Sequence, residues 1–242
     1  MLHLQRDNQH LLYTGDFKLR DSATVPAAQP RQADVLVMET TYGVPLFRFP
    51  SRTRVIGQLL ELVESAFRAG RQPIVLGYSL GKAQEVVRIL TGAGHRVSAH
   101  GAVFHNNQTY EQLGVSLGDY RRYDRDDFHG PRALDLRERG VLVAPPQMSR
   151  STFVTRFDNP CRIVLTGWAM LKNAVYRYGV DHALPLSDHA DFDELCELVE
   201  RVRPRKVYTH HGYAREFADV LRAKGLDASC ARPEPQLWLF EP

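Results

Sequence analysis

Leu186-Ser187-Asp188-His189-Ala190-Asp191-Phe192 and the forty residues after it decide the fold. Two histidines and two aspartates fall between His182 and Asp191, and a second imidazole pair, His210-His211, follows. Between them, Leu195, Leu198, Val199 and Val202 recur at helical spacing, predicting a helix from Phe192 to Val202. Asp191, with Glu194 three residues on, is a helix-start signature. Lys206-Val207-Tyr208-Thr209 reads as a short strand running into His210-His211-Gly212. One polar cluster thus precedes a helix and the other follows the next strand. Both belong at the sheet edge where α/β proteins keep their chemistry.

Working outward, the same alternation recurs. Strands are predicted at His10–Thr14, Asp34–Met38, Pro73–Tyr78, His95–His100, Val141–Ala144 and Arg162–Thr166, with a last one at Gln236–Phe240. Arg52 to Ala69 is an amphipathic helix closed by Gly70, Ala83 to Leu90 is a second, and Tyr213 to Lys224 is a third. Residues 102–140 show no clear period. Strands alternating with helices imply a largely parallel α/β sheet. Polar residues close one strand after another: Asp16, Glu39, Ser79, His100 and His211. Carboxylates and imidazoles converging at one edge suit a divalent metal and hydrolysis.

Composition narrows the field. The chain has 242 residues, 43% apolar and 24% charged, an ordinary globular balance for one large domain or two small ones. No apolar run is long enough to span a bilayer, and the first residues lack signal-peptide character. Three cysteines far apart favour reduced thiols and a cytoplasmic protein. Net charge is only +3, but of 31 basic residues only five are lysine. Arginine binds phosphates through two parallel hydrogen bonds, which permits a nucleic-acid partner; a GC-rich genome produces the same bias.

Several pieces taken singly read two ways. Gly15-Asp16 after a strand is either a turn or a ligand. Ser79-Leu80-Gly81-Lys82 before a helix is either a plain turn or an anion site built on free helix N–H groups. It lacks the glycine spacing of a P-loop. His210-His211 is either a structural pair or a metal ligand. Trp168, Tyr176 and Tyr178 with Arg177 are either packing residues or a surface for stacking bases. Asp188-His189-Ala190-Asp191 is the exception, because packing gives no reason for such a cluster.

In order, the pieces are Leu-Tyr-Thr-Gly-Asp-Phe, Asp-Val-Leu-Val-Met-Glu-Thr-Thr-Tyr-Gly, Tyr-Ser-Leu-Gly-Lys-Ala-Gln-Glu, Leu-Ser-Asp-His-Ala-Asp-Phe and Tyr-Thr-His-His-Gly-Tyr. The series resembles the metallo-β-lactamase-fold nucleases with a β-CASP insertion. It is most similar to the bacterial branch of mRNA 3′-end processing and DNA-ligase-associated exonuclease proteins. The resemblance implies a partial metallo-β-lactamase (αββα) domain in residues 1–43 and 187–242. Inserted into it, residues 44–186 would form a β-CASP α/β domain of mostly parallel strands. Asp16 would bridge two zinc ions, His211 would be the last metal-binding histidine, and Glu39 would orient His189, the general acid toward the leaving oxygen. Ser79, Gly81 and Lys82 would meet a phosphate of RNA or DNA. DNA ligase or a helicase would be partners in RNA processing or DNA repair, away from any membrane.

The family's principal metal motif, His-x-His-x-Asp-His, does not occur in the sequence. Asp16 and His211 alone do not complete a two-zinc site. The sequence therefore reads as a shortened form or fragment of a nuclease, weakly active or inactive by itself. The alternative is a catalytically dead relative that binds nucleic acid or protein. A half sheet would also leave an exposed edge, a liability for solubility.

Overall fold

A computed structural model describes residues 1–231, so the strand expected at Gln236–Phe240 lies outside the described residues. The chain is mixed α/β, as the alternation implied, and divides into two compact units. The first holds Met1–Arg20, Ala27–Arg48 and the chain from His189 onward; the second holds Asp21–Pro26 and Phe49–Asp188.

The first unit opens with the antiparallel hairpin β1 (Leu2–Arg6) and β2 (Gln9–Tyr13), followed by β3 (Val35–Glu39). The second unit then runs α1 (Arg52–Arg68), β4 (Gln72–Leu76), α2 (Lys82–Gly92), β5 (Val97–Ala99), α3 (Gly101–Gln112) and β6 (Tyr120–Arg122). Short helices α4 (Arg125–Phe128) and α5 (Leu136–Arg139) lead to β7 (Val141–Ala144). After α6 (Thr152–Thr155) come β8 (Pro160–Leu165), α7 (Ala174–Tyr178) and β9 (His182–Leu184). The chain returns to the first unit with α8 (Phe192–Val202), β10 (Lys206–His210), α9 (Ala214–Ala223) and β11 (Asp227–Cys230).

The first unit's sheet has the order β1-β2-β3-β10-β11, parallel from β2 onward. Strands β3 and β10 alternate between buried and half-buried residues. Leu36, Met38 and Val207 pack with Leu195, Leu198, Phe217 and Leu221 of α8 and α9 in one core. Period-two burial of this kind belongs to a sheet with one well-covered face. The register pairs Glu39 with His210, so the carboxyl ends of β3 and β10 stop level with each other.

The second unit's sheet has the order β6-β5-β7-β4-β8-β9, and every pairing is parallel. All residues of β4 and β7 are buried. Val75, Val143 and Ile163 face a core shared with α1 and α2, while Ile74, Leu142 and Val164 face a second one around Phe128, Val154 and Phe157. Burial on both faces explains the uninterrupted apolar runs that mark these strands in the sequence.

Among the described residues, nine elements were not anticipated: β1, β6, β9, β11, α3 and the short helices α4, α5, α6 and α7. Strand β11 reads Asp-Ala-Ser-Cys, with almost no apolar signal. Helix α3 begins at Gly101 and buries fully only Val103 and Asn107, so it carries no apolar stripe. Its start is fixed by the His100 ring, which accepts the Ala102 N–H at 3.3 Å.

Candidate active site

Glu39 ends β3 and is fully buried. A carboxylate at that depth needs partners to remain charged. Its Oε2 accepts the Thr41 N–H at 2.9 Å, and its Oε1 lies 3.2 Å from His189 Nδ1. Its own N–H donates to Thr14 Oγ1 at 3.2 Å, which ties the end of β3 to the segment leaving β2. Burial alone pushes the Glu39 carboxyl upward. The His189 hydrogen bond and charge, with the Thr41 bonds, prevail and hold it below the usual value.

Asp16 reaches the same place through Gly15, whose φ of +56° turns the chain just past β2. The Asp16 carboxylate is largely exposed, and its Oδ1 lies 3.7 Å from His189 Nδ1. His189 comes from the segment entering α8. Asp191 caps that helix by accepting the Glu194 N–H at 2.8 Å, and Glu194 returns the bond to the Asp191 N–H at 3.2 Å. Glu194 also accepts the Leu19 N–H at 2.9 Å, drawing the Asp16 segment toward the start of α8. Ala190, fully buried in the core, pins the residue beside His189.

These contacts orient the imidazole. With a carboxylate against Nδ1, that nitrogen carries the proton, and Nε2 is left as the atom for proton exchange. Thr41 Oγ1 lies 3.3 Å from Nδ1, and the Tyr42 ring meets the imidazole edge-on at 6.0 Å. In the sequence, the Glu-Thr-Thr-Tyr-Gly run points to a role for Glu39 alone. Nothing in a threonine side chain marked Thr41 as a contact.

The second imidazole pair closes β10. His210 stacks on Tyr13 with ring centres 5.6 Å apart, and its Nδ1 lies 2.7 Å from His211 Nδ1. Burial first, then the neighbouring His211, lower the His210 pKa. His210 Nε2 is buried and has no hydrogen-bond partner among the described residues. His211 adopts φ +61°, an unusual backbone for a residue other than glycine. Thr40 holds the turn, its Oγ1 reaching the carbonyls of His210 at 2.9 Å and His211 at 2.7 Å.

Among the described residues, Asp16, Glu39 and His189 place one donor atom each within 4.8 Å of one another; His211 is not in that group. Two carboxylates and one imidazole suit a divalent cation of the zinc or manganese kind. The donor set therefore fits a metal in type, with Asp16 the most accessible of the three and Glu39 already engaged by His189 and Thr41.

The turn of Ser79, Gly81 and Lys82, expected to meet a phosphate, makes several internal contacts. Lys82 is 2% exposed, and its Nζ contacts Asp188 Oδ1 at 2.8 Å and Glu85 Oε2 at 3.1 Å. Its charge is spent inside the unit. The Gly81 N–H donates to Gln84 Oε1 at 2.7 Å, and the Ser79 carbonyl accepts from Gln84 and Asn106. Within the turn, the Gly81 N–H and the Ser79 carbonyl are thus engaged by neighbouring side chains.

Among the described residues, no helix is long and apolar enough to cross a membrane. Residues 177–230 match the family model of the Zn-dependent metallo-hydrolase RNA specificity domain. A probable DNA ligase of Opitutus terrae is 38% identical over 229 residues, which is 95% of this chain and 22% of the ligase. An RNase J-like protein of Methanocaldococcus jannaschii is 34% identical over 254 residues, covering 87% of this chain and 60% of that protein. The transcription termination factor FttA of Methanothermobacter thermautotrophicus is 26% identical, with 87% and 42% covered. The chain thus spans only part of each of these relatives. In fold, it matches the crystal structure of a protein of unknown function from Enterococcus faecalis with a TM-score of 0.55 at 13% identity, covering 96% of this chain and 58% of that one. The ordered motifs, the specificity domain and these relatives agree: the chain belongs to the metallo-β-lactamase-fold β-CASP nucleases.

Proposed function

We propose that this chain carries part of the working site of a metal-dependent nuclease that hydrolyses phosphodiester bonds in RNA or DNA. The observation that carries the reading is His189 Nδ1, 3.2 Å from a fully buried Glu39 and 3.7 Å from Asp16. Residues 1–43 and 187–242 make up the metallo-β-lactamase domain and 44–186 the β-CASP domain; two compact units, one of them Phe49–Asp188, support that division.

Asp16 and His211 would hold zinc, with Glu39 and His189 the groups that place a donor atom beside Asp16. When bound, zinc supplies charge neutralisation at the phosphodiester and a water of lowered pKa. Glu39 holds the Nδ1 proton of His189 and stabilises the imidazolium. That lets Nε2 deliver a proton to the leaving oxygen. Asp16, exposed beside it, would present its negative charge to a cation rather than to the substrate. Contacts of this kind read phosphate rather than base, so sequence selectivity is low. Place of work is the cytoplasm. DNA ligase or a helicase is the partner, a reading supported by the likeness to a ligase of which this chain spans 22%.

Two zinc ions need more ligands than Asp16 and His211, and the sequence contains no His-x-His-x-Asp-His. By itself the chain is therefore weakly active or inactive. The test is a cleavage assay on this chain and on a chimera that joins a His-x-His-x-Asp-His segment from a β-CASP nuclease ahead of Met1. The chimera is expected to cleave with zinc and to lose that activity on His189→Ala, while the chain alone stays at background. A chimera that binds oligonucleotide but never cleaves would favour a catalytically dead binding relative.

A further inference from the structure

In the second unit six parallel strands bring all their carboxyl ends to one edge. Ligands of open α/β sheets bind just outside that edge. The loop after β4 begins at Gly77 and exposes Tyr78 (52%) and Leu80 (66%). The chain after β8 carries Tyr176, which is 83% exposed, beside half-exposed Val175. The turn Pro146–Arg150 packs against both β4 and α7, and the Tyr178 hydroxyl and Arg177 charge act on the Tyr78 phenol, so the loop after β4 and helix α7 are neighbours. Isolated exposed apolar residues are ordinary, but a group of them at a ligand-binding edge is not.

The backbone beneath the most exposed ring is held firmly. Arg150, from the segment after β7, donates to the Tyr176 carbonyl at 2.6 Å. Arg177 N–H bonds the Asn173 carbonyl at 2.8 Å, and Gly179 closes the helix in the left-handed region. An aromatic side chain that projects into solvent from a fixed backbone can bind with little loss of freedom. Charge points to the kind of partner. Residues 145–179 contain Arg150, Arg156, Arg162, Lys172 and Arg177 against a single acid, Asp158. Arg162 is tied to Asp181 at 3.1 Å, and the other four are exposed.

We infer that Tyr78 and Tyr176, flanked by these cations, form a stacking platform for single-stranded nucleic acid. Exposed rings offer faces for unpaired bases, and the arginines and lysine track the phosphates. A duplex hides its base faces and gains only the charge contribution. The inference rests on the nuclease reading for its ligand class, but it concerns the second unit alone and needs no metal.

The test is fluorescence anisotropy of a labelled oligothymidylate of about a dozen nucleotides, within the usual range of single-strand sites, added to the full chain in chelator at low salt. Binding is expected to weaken as salt rises. Tyr176→Ala and Tyr78→Ala should each weaken it about five- to a hundred-fold, the range for one base stack. Tyr176→Phe should bind like the wild type, and duplex affinity should be the same in all variants. Tyr176 is on the surface, so unchanged circular dichroism checks that its variants fold. Alanine variants that bind as tightly as the wild type would overturn the platform. So would the absence of any oligonucleotide binding, or equal competition by an acidic peptide, which would mark a protein-binding face. Because the assay contains chelator, it can succeed where cleavage fails, and cleavage can succeed where Tyr176→Ala changes nothing.

Discussion

At the scale of the residue, the molecule concentrates cost at a few positions. Glu85 is buried with Lys82 at 3.1 Å and Arg52 at 2.5 Å, and Lys82 also meets Asp188. Burial pushes the Glu85 carboxyl up, but Lys82 and Arg52 prevail and hold it low. Removing one member of such a buried set strands the rest. Glu85→Ala is therefore expected to destabilise the chain by about 3–5 kcal/mol in urea unfolding; a loss below about 1 kcal/mol, the scale of a surface pair, would contradict the network. Gly212 is a second such position. At φ +55° an added Cβ would sit 2.5 Å from Thr41 Cα and 2.6 Å from its carbonyl oxygen. Those are backbone atoms that cannot swing away, so Gly212→Ala should cost about 3 kcal/mol or more and shift the His211 turn. Its thermal midpoint against the wild type checks this. The Lys82 network also shows what a sequence does not display. Lysine is rarely buried, and nothing local reveals that Asp188, 106 positions away, will neutralise it. The reading of Ser79, Gly81 and Lys82 as a phosphate site rests on residue type, which does not display the tertiary partner of Lys82.

At the scale of the element, legibility followed burial. Helix α8 and strand β7 match the bounds read from the sequence, because each has a one-sided or complete apolar pattern. Helix α1 differs by one residue, with Val55, Leu59, Val63 and Phe67 on its buried face. Strand β11 and helix α3 left no such imprint, since Asp-Ala-Ser-Cys and Gly-Ala-Val-Phe-His-Asn-Asn are set by neighbours rather than by their own period. At the site, Asp16, Glu39 and His189 were legible because each ends or precedes an element with a strong pattern; Thr41 was not. The capping box of α8 yields a direct prediction. Asp191→Ala removes the acceptor for the Glu194 N–H and should cost about 0.5–2 kcal/mol, read by chemical unfolding. Titration adds another at the edge of the second unit's sheet. Burial would raise the Asp181 carboxyl, but the Arg162 N–H and the Arg71 and Arg162 side chains hold it below its ordinary value. A lowered carboxyl stabilises the fold above its unfolded pKa and loses that contribution as pH falls through its folded pKa. Stability should thus be level near neutrality and fall below about pH 4, and Asp181→Asn should flatten part of that fall. An acid limb identical in wild type and variant would contradict the assignment.

At the scale of the whole molecule, each unit has a core of its own, and the chemistry gathers at the carboxyl ends of parallel strands in both. The first unit's sheet begins with β1, whose Leu2 and Leu4 are exposed, so self-association at high concentration is expected in sedimentation. The chain carries Asp16, Glu39, His189 and His211, and covers from 22% to 60% of the relatives described above. On the function proposed above, Asp16 and His211 would bind metal beside an imidazole held by Glu39. Zinc titration of the purified chain by calorimetry, repeated with Asp16→Asn and His211→Ala, tests it most directly. Saturable zinc binding by the wild type is expected, with a loss of about tenfold or more in affinity in each variant, at least the effect of removing an outer-shell partner of a metal ligand. Equal affinity in all three proteins, or no zinc binding by the wild type, would contradict it.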